Sequence, residues 1–194
     1  MESRVIDFFH QSIEAKMSCG ERVAPAIVAA SRLVTERLLQ ENKVFSCGNG
    51  VCGPLAAIFT QCLSLRHRIE RPGLPALNLS AEASTLSAIA EQHSSEIFSR
   101  QLRTLGVPGD VLVIFSTGSN ASSLVQAIQT AHDRDMFVVS FTTDGDQDLA
   151  ALLTNNDITI SANNAEPHRA TEIHLLGLFS VCELIDQQLF GGAG

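Results

Sequence analysis

The stretch 43–62, KVFSCGNGVCGPLAAIFTQC, constrains the fold more than any other. Residues 43–47 form an apolar, β-favouring run, and Gly48-Asn49-Gly50 is a breaker cluster. From Leu55 the residues suit a helix, with Pro54 tolerated in its first turn. A strand that feeds a glycine loop opening a helix aims backbone N–H groups at one spot, where the helix dipole favours an anion. The order predicts a phosphate-type site over 48–52.

The rest of the chain repeats the alternation. Helical spacing of Ile6, Phe9, Ile13 and Met17, then of Val23, Ile27, Ala30, Val34 and Leu38, predicts two helices broken at Ser18-Cys19-Gly20. The first of these is expected to pack on another subunit. A strand at 43–47, a helix to about residue 66, and a short strand at 75–79 follow. Helices are predicted over 84–90 and 95–105, and DVLVIF at 110–115 is the clearest buried strand. A helix at 121–132, a strand at 136–141, a short helix at 148–153 and a strand at 157–160 precede a long final helix from about 168 to 189. That last helix is apolar around most of its circumference, which predicts burial on several sides. Strands alternating with helices predict a doubly wound parallel sheet, an α/β fold. Ligands of such sheets sit beyond the strand carboxyl ends, here at loops 48–52, 116–120 and 142–146.

Composition sets the bounds. With 194 residues, 45% hydrophobic and 18% charged, the chain is predicted to be one globular domain over 1–194. A helical extension would fill 1–40, the α/β core 41–190 and a frayed tail 191–194. No apolar run approaches the ~20 residues of a membrane span, and MESRVIDFFHQ lacks the character of a signal peptide. The cysteines at 19, 47, 52, 62 and 182 form no CxxC pair, which points to reduced thiols in the cytoplasm and away from a zinc site. A net charge of −8 argues against direct nucleic-acid binding through phosphate neutralisation. A basic or apolar partner is expected, and no membrane.

CGNG after the first strand, RPGLPALNL, GDVLVIFSTGSN and EIHLLGLFSVCELID together resemble the sugar isomerase (SIS) domain. The resemblance spans essentially the whole chain and lies within the branch of phosphoheptose isomerases and of proteins that associate with the replication initiator DnaA. It implies a flavodoxin-like five-stranded sheet and a homotetramer built from the terminal helices. The isomerases carry a His and, four residues on, a Glu in the helix after the first strand. They carry a Gln, a Glu and a further His in the final helix. In this sequence those positions are Ile58 and Cys62, then Thr171, Glu172 and Phe179, while Val51 and Cys52 replace the loop's second Gly and its Ser. Isomerisation needs a base and an acid at the carbonyl-bearing carbons. The four replacements Ile58, Cys62, Thr171 and Phe179 therefore predict a chain without catalysis, metal or cofactor.

The phosphate turn of the branch is partly kept. Ser116, Thr117 and Asn120 remain, Gly118 and Ala121 replace hydroxyls, and Ser119, Ser122 and Ser123 stand nearby. Gly48, Asn49, Gly50, Cys52, Ser116, Thr117, Ser119 and Asn120 thus form a vestigial pocket for a phosphate or sugar phosphate. The acidic turn Asp144-Gly145-Asp146 is expected to repel one. Leu189-Phe190, after CELIDQQ, matches the apolar pair by which initiator-associating members are expected to hold DnaA, and reads equally as an apolar cap of the last helix. The resemblance thus implies a non-catalytic tetramer that promotes initiator assembly at the origin. The alternatives are a phosphoheptose isomerase acting on sedoheptulose 7-phosphate or a sugar-phosphate-binding regulator.

Among other residues, Cys52 at a helix N-terminus invites a lowered thiol pKa but fits better as a small residue in a serine slot. Arg66, Arg68 and Arg71 with His67 read as a solvated basic patch. His168 and His174 do not share a helix face, and His174 reads as structural.

Overall fold

Five parallel strands form one sheet in the order β2-β1-β3-β4-β5: β1 Val44–Gly48, β2 Ala76–Asn78, β3 Val111–Phe115, β4 Phe137–Thr142 and β5 Ile158–Ser161. This is a flavodoxin-like order, as the resemblance implies, with each strand within a residue or two of its expected place. The computed structural model describes residues 1–118, 121–163 and 165–191. Of the frayed tail expected at 191–194, all but Gly191 lies outside the described residues.

Every residue of β1 and β3 is buried, as central parallel strands require. Alternate residues feed opposite faces. Val44, Val111, Val113, Phe115, Val139 and Phe141 join the core under α1 (Glu2–Leu39), α2 (Cys52–Ser64) and α7 (Pro167–Phe190). Phe45, Leu112, Ile114 and Val138 join the core under α4 (Ser99–Leu105), α5 (Ser122–Asp133) and α6 (Gln147–Ala150), near which α3 (Ala83–His93) runs. The predicted helix over 95–105 is instead a 3₁₀ turn, Ser94–Glu96, followed by α4.

The N-terminal pair of helices is one helix. α1 runs unbroken from Glu2 to Leu39 through Ser18-Cys19-Gly20 and Pro25. Ser12, Cys19, Val23, Ala30 and Val34 keep a single phase across the expected break and bury one stripe. That burial outweighs the ~1 kcal/mol cost of an interior glycine. The stripe packs on α7 of the same chain. Ser12 and Lys16 reach Glu172, Arg169 reaches the Phe8 carbonyl (3.0 Å), and Gln188 reaches Ser31 (3.0 Å). Val5, Ile6, Phe9, Ile13 and Met17 stay more than half exposed.

α7 has the length and hydropathy of a membrane span, although no unbroken apolar run marks it in the sequence. It buries Arg169, His174 and Asp186, and its buried residues face the sheet, α1 and α2. Pro167 opens it at a position where no N–H is needed.

Candidate functional site

The parallel register sets Gly48 opposite Phe115 and Phe115 opposite Phe141, so three loops leave the sheet at one level. Strand order reverses beside β1. On the other side of β1, toward β2, a cleft of about 530 Å³ opens between Gly48, Asn49, Gly50, Pro54, Asn78 and Ser80. Gly48 is required by space: a Cβ there would lie 2.6 Å from the Cys52 carbonyl oxygen. Gly50 takes a φ of +52°, which closes the turn. The N–H groups of Cys52 and Gly53 are used by that turn, bonding to Asn49 O (2.9 Å) and Gly50 O (3.1 Å). Both amides are therefore engaged within the turn, which the sequence pattern does not reveal.

Polar side chains knit the loops together. Asn49 Nδ2 donates to Ser123 Oγ (2.9 Å) at the start of α5, and Ser80 Oγ donates to Gly48 O (3.2 Å). Cys52 Sγ lies 3.9 Å from Thr117 Oγ1. Burial pushes the Cys52 thiol up in pKa, against the lowering suggested by its helix end. Ser119 and Asn120 of the expected pocket lie outside the described residues.

Asp146 corrects the reading of the acidic turn. It is buried, and its carboxylate accepts from Ser116 Oγ, Gly118 N (3.0 Å), Thr143 N (2.9 Å) and Thr143 Oγ1 (3.2 Å). A carboxylate with four donors is satisfied, and it braces the 116–118 loop against the 143–146 loop. Its acidic letter in the sequence suggests repulsion because the donors come from two separate segments.

A second group lies where α2 meets α7. Cys62 and Cys182 are buried in one core there, with His67 beside Cys62. The bond from Cys182, helped by the hydrogen bond and charge of His67, overcomes burial and lowers the Cys62 thiol to about 6. Cys182, buried behind it, is pushed up. The His67 ring stacks on Phe179 at 5.4 Å, and its Nε2 is 3.6 Å from Glu183 Oε2. A thiolate against an imidazole can take and return a proton near neutral pH. Sequence reading gave this group no role because His67 looks like part of a basic surface patch. That patch also needs correction. Arg66 and Arg68 are exposed, but Arg71 is buried and donates to Asp186 Oδ1 (2.6 Å), Leu63 O (2.8 Å) and Cys62 O (2.7 Å).

The residues do not fit a metal at the family's positions. Ile58 and Phe179 offer no donor atom, and the Thr171 hydroxyl is spent on Pro167 O (2.9 Å). Glu172 is held at about 2. Burial would raise it, but hydrogen bonds from Ser12, Lys16 and Arg169 prevail. Among the described residues no three of His, Cys, Asp and Glu gather as a metal set.

His174 is buried, with its Nε2 3.1 Å from Thr142 O and its ring edge-on to Phe141. Burial pushes it down to about 4, so it is neutral and structural, in line with its sequence reading. Leu189 packs against the core under α1 and α7. Phe190 is 41% exposed and lies under the Arg71 guanidinium, 5.7 Å from its ring centre. The pair therefore behaves mainly as an apolar end to the last helix.

Sheet order, cleft and loop chemistry define a SIS-domain protein, and the family model described as SIS domain matches residues 7–143. Within that class the chain belongs to the phosphoheptose isomerase family. It is 44% identical over 191 residues to the phosphoheptose isomerase of Chromohalobacter salexigens, covering 98% of this chain and 97% of the relative. It is 40% identical over 192 residues to that of Halorhodospira halophila, with the same coverage. The phosphoheptose isomerase structure from Neisseria gonorrhoeae superposes with a TM-score of 0.89 at 32% identity, covering 96% of this chain and 98% of that one. The one from Francisella tularensis gives 0.91 at 30% identity, covering 95% and 97%.

These relatives overturn two expectations. A DnaA-type partner held by Leu189 and Phe190, with a role at the replication origin, has no counterpart among relatives that bear the name of an isomerase. The inference from Ile58, Cys62, Thr171 and Phe179 to a chain without enzymatic activity falls with it. Four substitutions do not describe all the chemistry of the region, because Cys62 brings an ionisable group of its own together with His67.

Proposed function

We propose that the protein is a sugar-phosphate isomerase of the phosphoheptose type, interconverting a ketose phosphate such as sedoheptulose 7-phosphate and its aldose isomer. The observation that carries this is the near-full-length identity of 38–44% to phosphoheptose isomerases. The whole chain, 1–194, acts as one SIS domain in this reading. The phosphate sits at the strand carboxyl ends, with Gly48, Asn49, Gly50, Cys52, Ser116 and Thr117 as its candidate contacts, and Ser119 and Asn120 as further candidates from the sequence alone. Asp146 holds that turn in shape. Its five free thiols suit a reducing, cytoplasmic setting.

Proton movement between the two reacting carbons is assigned to Cys62 with His67, since the chain's donor set does not suit a metal there. Cys62 as thiolate takes the proton, and His67 steadies its charge. The test is turnover of sedoheptulose 7-phosphate by the purified protein, with and without chelator. Turnover that persists in chelator and falls at least about 100-fold in Cys62→Ala supports the reading. A protein that is stabilised by the sugar phosphate yet never converts it overturns the catalytic part and leaves a binding protein.

A further inference from the structure

The cleft between β1 and β2 differs in chemistry from the loops assigned to the phosphate. Among the described residues, none that lines it is charged. One wall is apolar, from Leu86 of α3 to Ile97 and Phe98 ahead of α4. The polar side chains that line it are Asn49, Asn78 and Ser80. Two of these spend their donors inside the protein, Asn49 Nδ2 on Ser123 Oγ (2.9 Å) and Ser80 Oγ on Gly48 O (3.2 Å). Asn78 keeps its donor free. Its Oδ1 accepts from Ser80 N (2.8 Å), which fixes the way the amide is turned, and its Nδ2 has no hydrogen-bond partner among the described residues.

We propose that Asn78 determines specificity in the sugar-phosphate site, donating from Nδ2 to a hydroxyl at the end of the sugar chain away from the phosphate. This rests on the reading of the protein as a sugar-phosphate isomerase. A charge-free cleft with one uncommitted donor suits a neutral polyol and not a second anion. The place of Asn78 in the sheet sets the length of chain that it selects. It ends β2, paired with Ser46 of β1, while Ser116 and Thr117 follow β3 on the other side of β1. Two strand spacings separate them, roughly 10 Å. An open seven-carbon chain with its phosphate ester, at ~1.5 Å per zigzag bond, covers a comparable distance. A five-carbon chain is two bonds shorter and leaves Asn78 unreached.

The test measures by calorimetry the affinity of the full chain for sedoheptulose 7-phosphate, ribulose 5-phosphate and inorganic phosphate. Asn78→Asp keeps the oxygen that accepts from Ser80 N and replaces the donor, whereas Asn78→Ala removes both. In each variant, affinity for sedoheptulose 7-phosphate relative to ribulose 5-phosphate is expected to fall roughly 5- to 10-fold. The ratio of ribulose 5-phosphate to inorganic phosphate is expected to stay unchanged. Ratios cancel the effect of the added charge on the phosphate, which all three ligands share. A ratio that holds in Asn78→Asp and falls only in Asn78→Ala makes Asn78 a turn residue and overturns the proposal. An equal loss for all three ligands overturns it too. The readout is affinity, so an absence of turnover refutes the catalytic reading without touching this one, whereas a parent protein that binds no heptulose phosphate overturns both.

Discussion

Arg71 Nε lies 2.6 Å from Asp186 Oδ1, and both side chains are almost wholly buried. The remaining guanidinium nitrogens bond carbonyls of Cys62, Leu63 and Pro72, so the charge is satisfied on every side. Removing one partner of such a pair leaves the other charged and buried. Asp186→Ala is expected to cost about 3–5 kcal/mol of stability, read by denaturant unfolding. A cost near that of an exposed pair would show that water reaches the site.

Phe190→Ala is expected to cost little, about 0.5–1 kcal/mol, because the ring is partly exposed and loses mainly its contact with Arg71. Equilibrium unfolding of the variant measures this. A loss comparable to that of Asp186→Ala would make the ring part of the core.

Stability is expected to depend on acid in two windows. His174 has a folded pKa of about 4, below its ordinary 6.5, so the unfolded chain binds the extra proton first. Its contribution is complete above about 6.5 and is lost as pH falls toward 4, amounting to about 3 kcal/mol. Glu172, at about 2 against 4.5, contributes above 4.5 and loses this as pH falls through 2. Urea midpoints between pH 7 and 4 check the first window, and His174→Gln should flatten it.

Asp146→Ala is expected to free the Ser116 hydroxyl and the Gly118 and Thr143 amides from their common acceptor. Buried donors left unpaired cost about 1–3 kcal/mol each where water cannot replace the lost acceptor. The variant should therefore melt earlier. It should also show a smaller thermal shift with sedoheptulose 7-phosphate than the parent, since the phosphate turn loses its brace. An unchanged ligand shift would place the phosphate elsewhere.

Gly48→Ala is expected to damage both the first turn and the cleft. The new methyl would stand 2.6 Å from backbone of Cys52, which must move to admit it. Loss of sugar-phosphate binding in a variant that still folds is the expected result, read by calorimetry. Retained affinity would mean that the turn shifts without cost.

The strands and the loops at their carboxyl ends were legible because runs such as VLVIF and breakers such as Gly48-Asn49-Gly50 speak through local periodicity and turn chemistry, whereas the strand order was implied only by the family resemblance. The continuity of α1 was not, since a glycine's local cost was weighed without the stripe that α7 offers across the chain. The roles of Asp146 and Arg71 were hidden for a related reason. An Asp in a turn and an Arg in a basic run look solvated until the donors and acceptors of distant segments close around them. The Cys62 group was harder still. Its chemistry needs residues 62, 67, 182 and 183 together, and no spacing in the sequence announces that meeting.

α1 has 38 residues, so at ~1.5 Å per residue it measures roughly 57 Å. A globule of this chain length has a radius of gyration of only about 16 Å. A rod of that length outruns the body that supports it, and its support is uneven. Backbone hydrogens should therefore exchange in a gradient, within seconds near Glu2 and on the timescale of global unfolding around Ala30 and Val34. Such a helix melts from its tip inward, and the first turns record conditions that the sheet never feels.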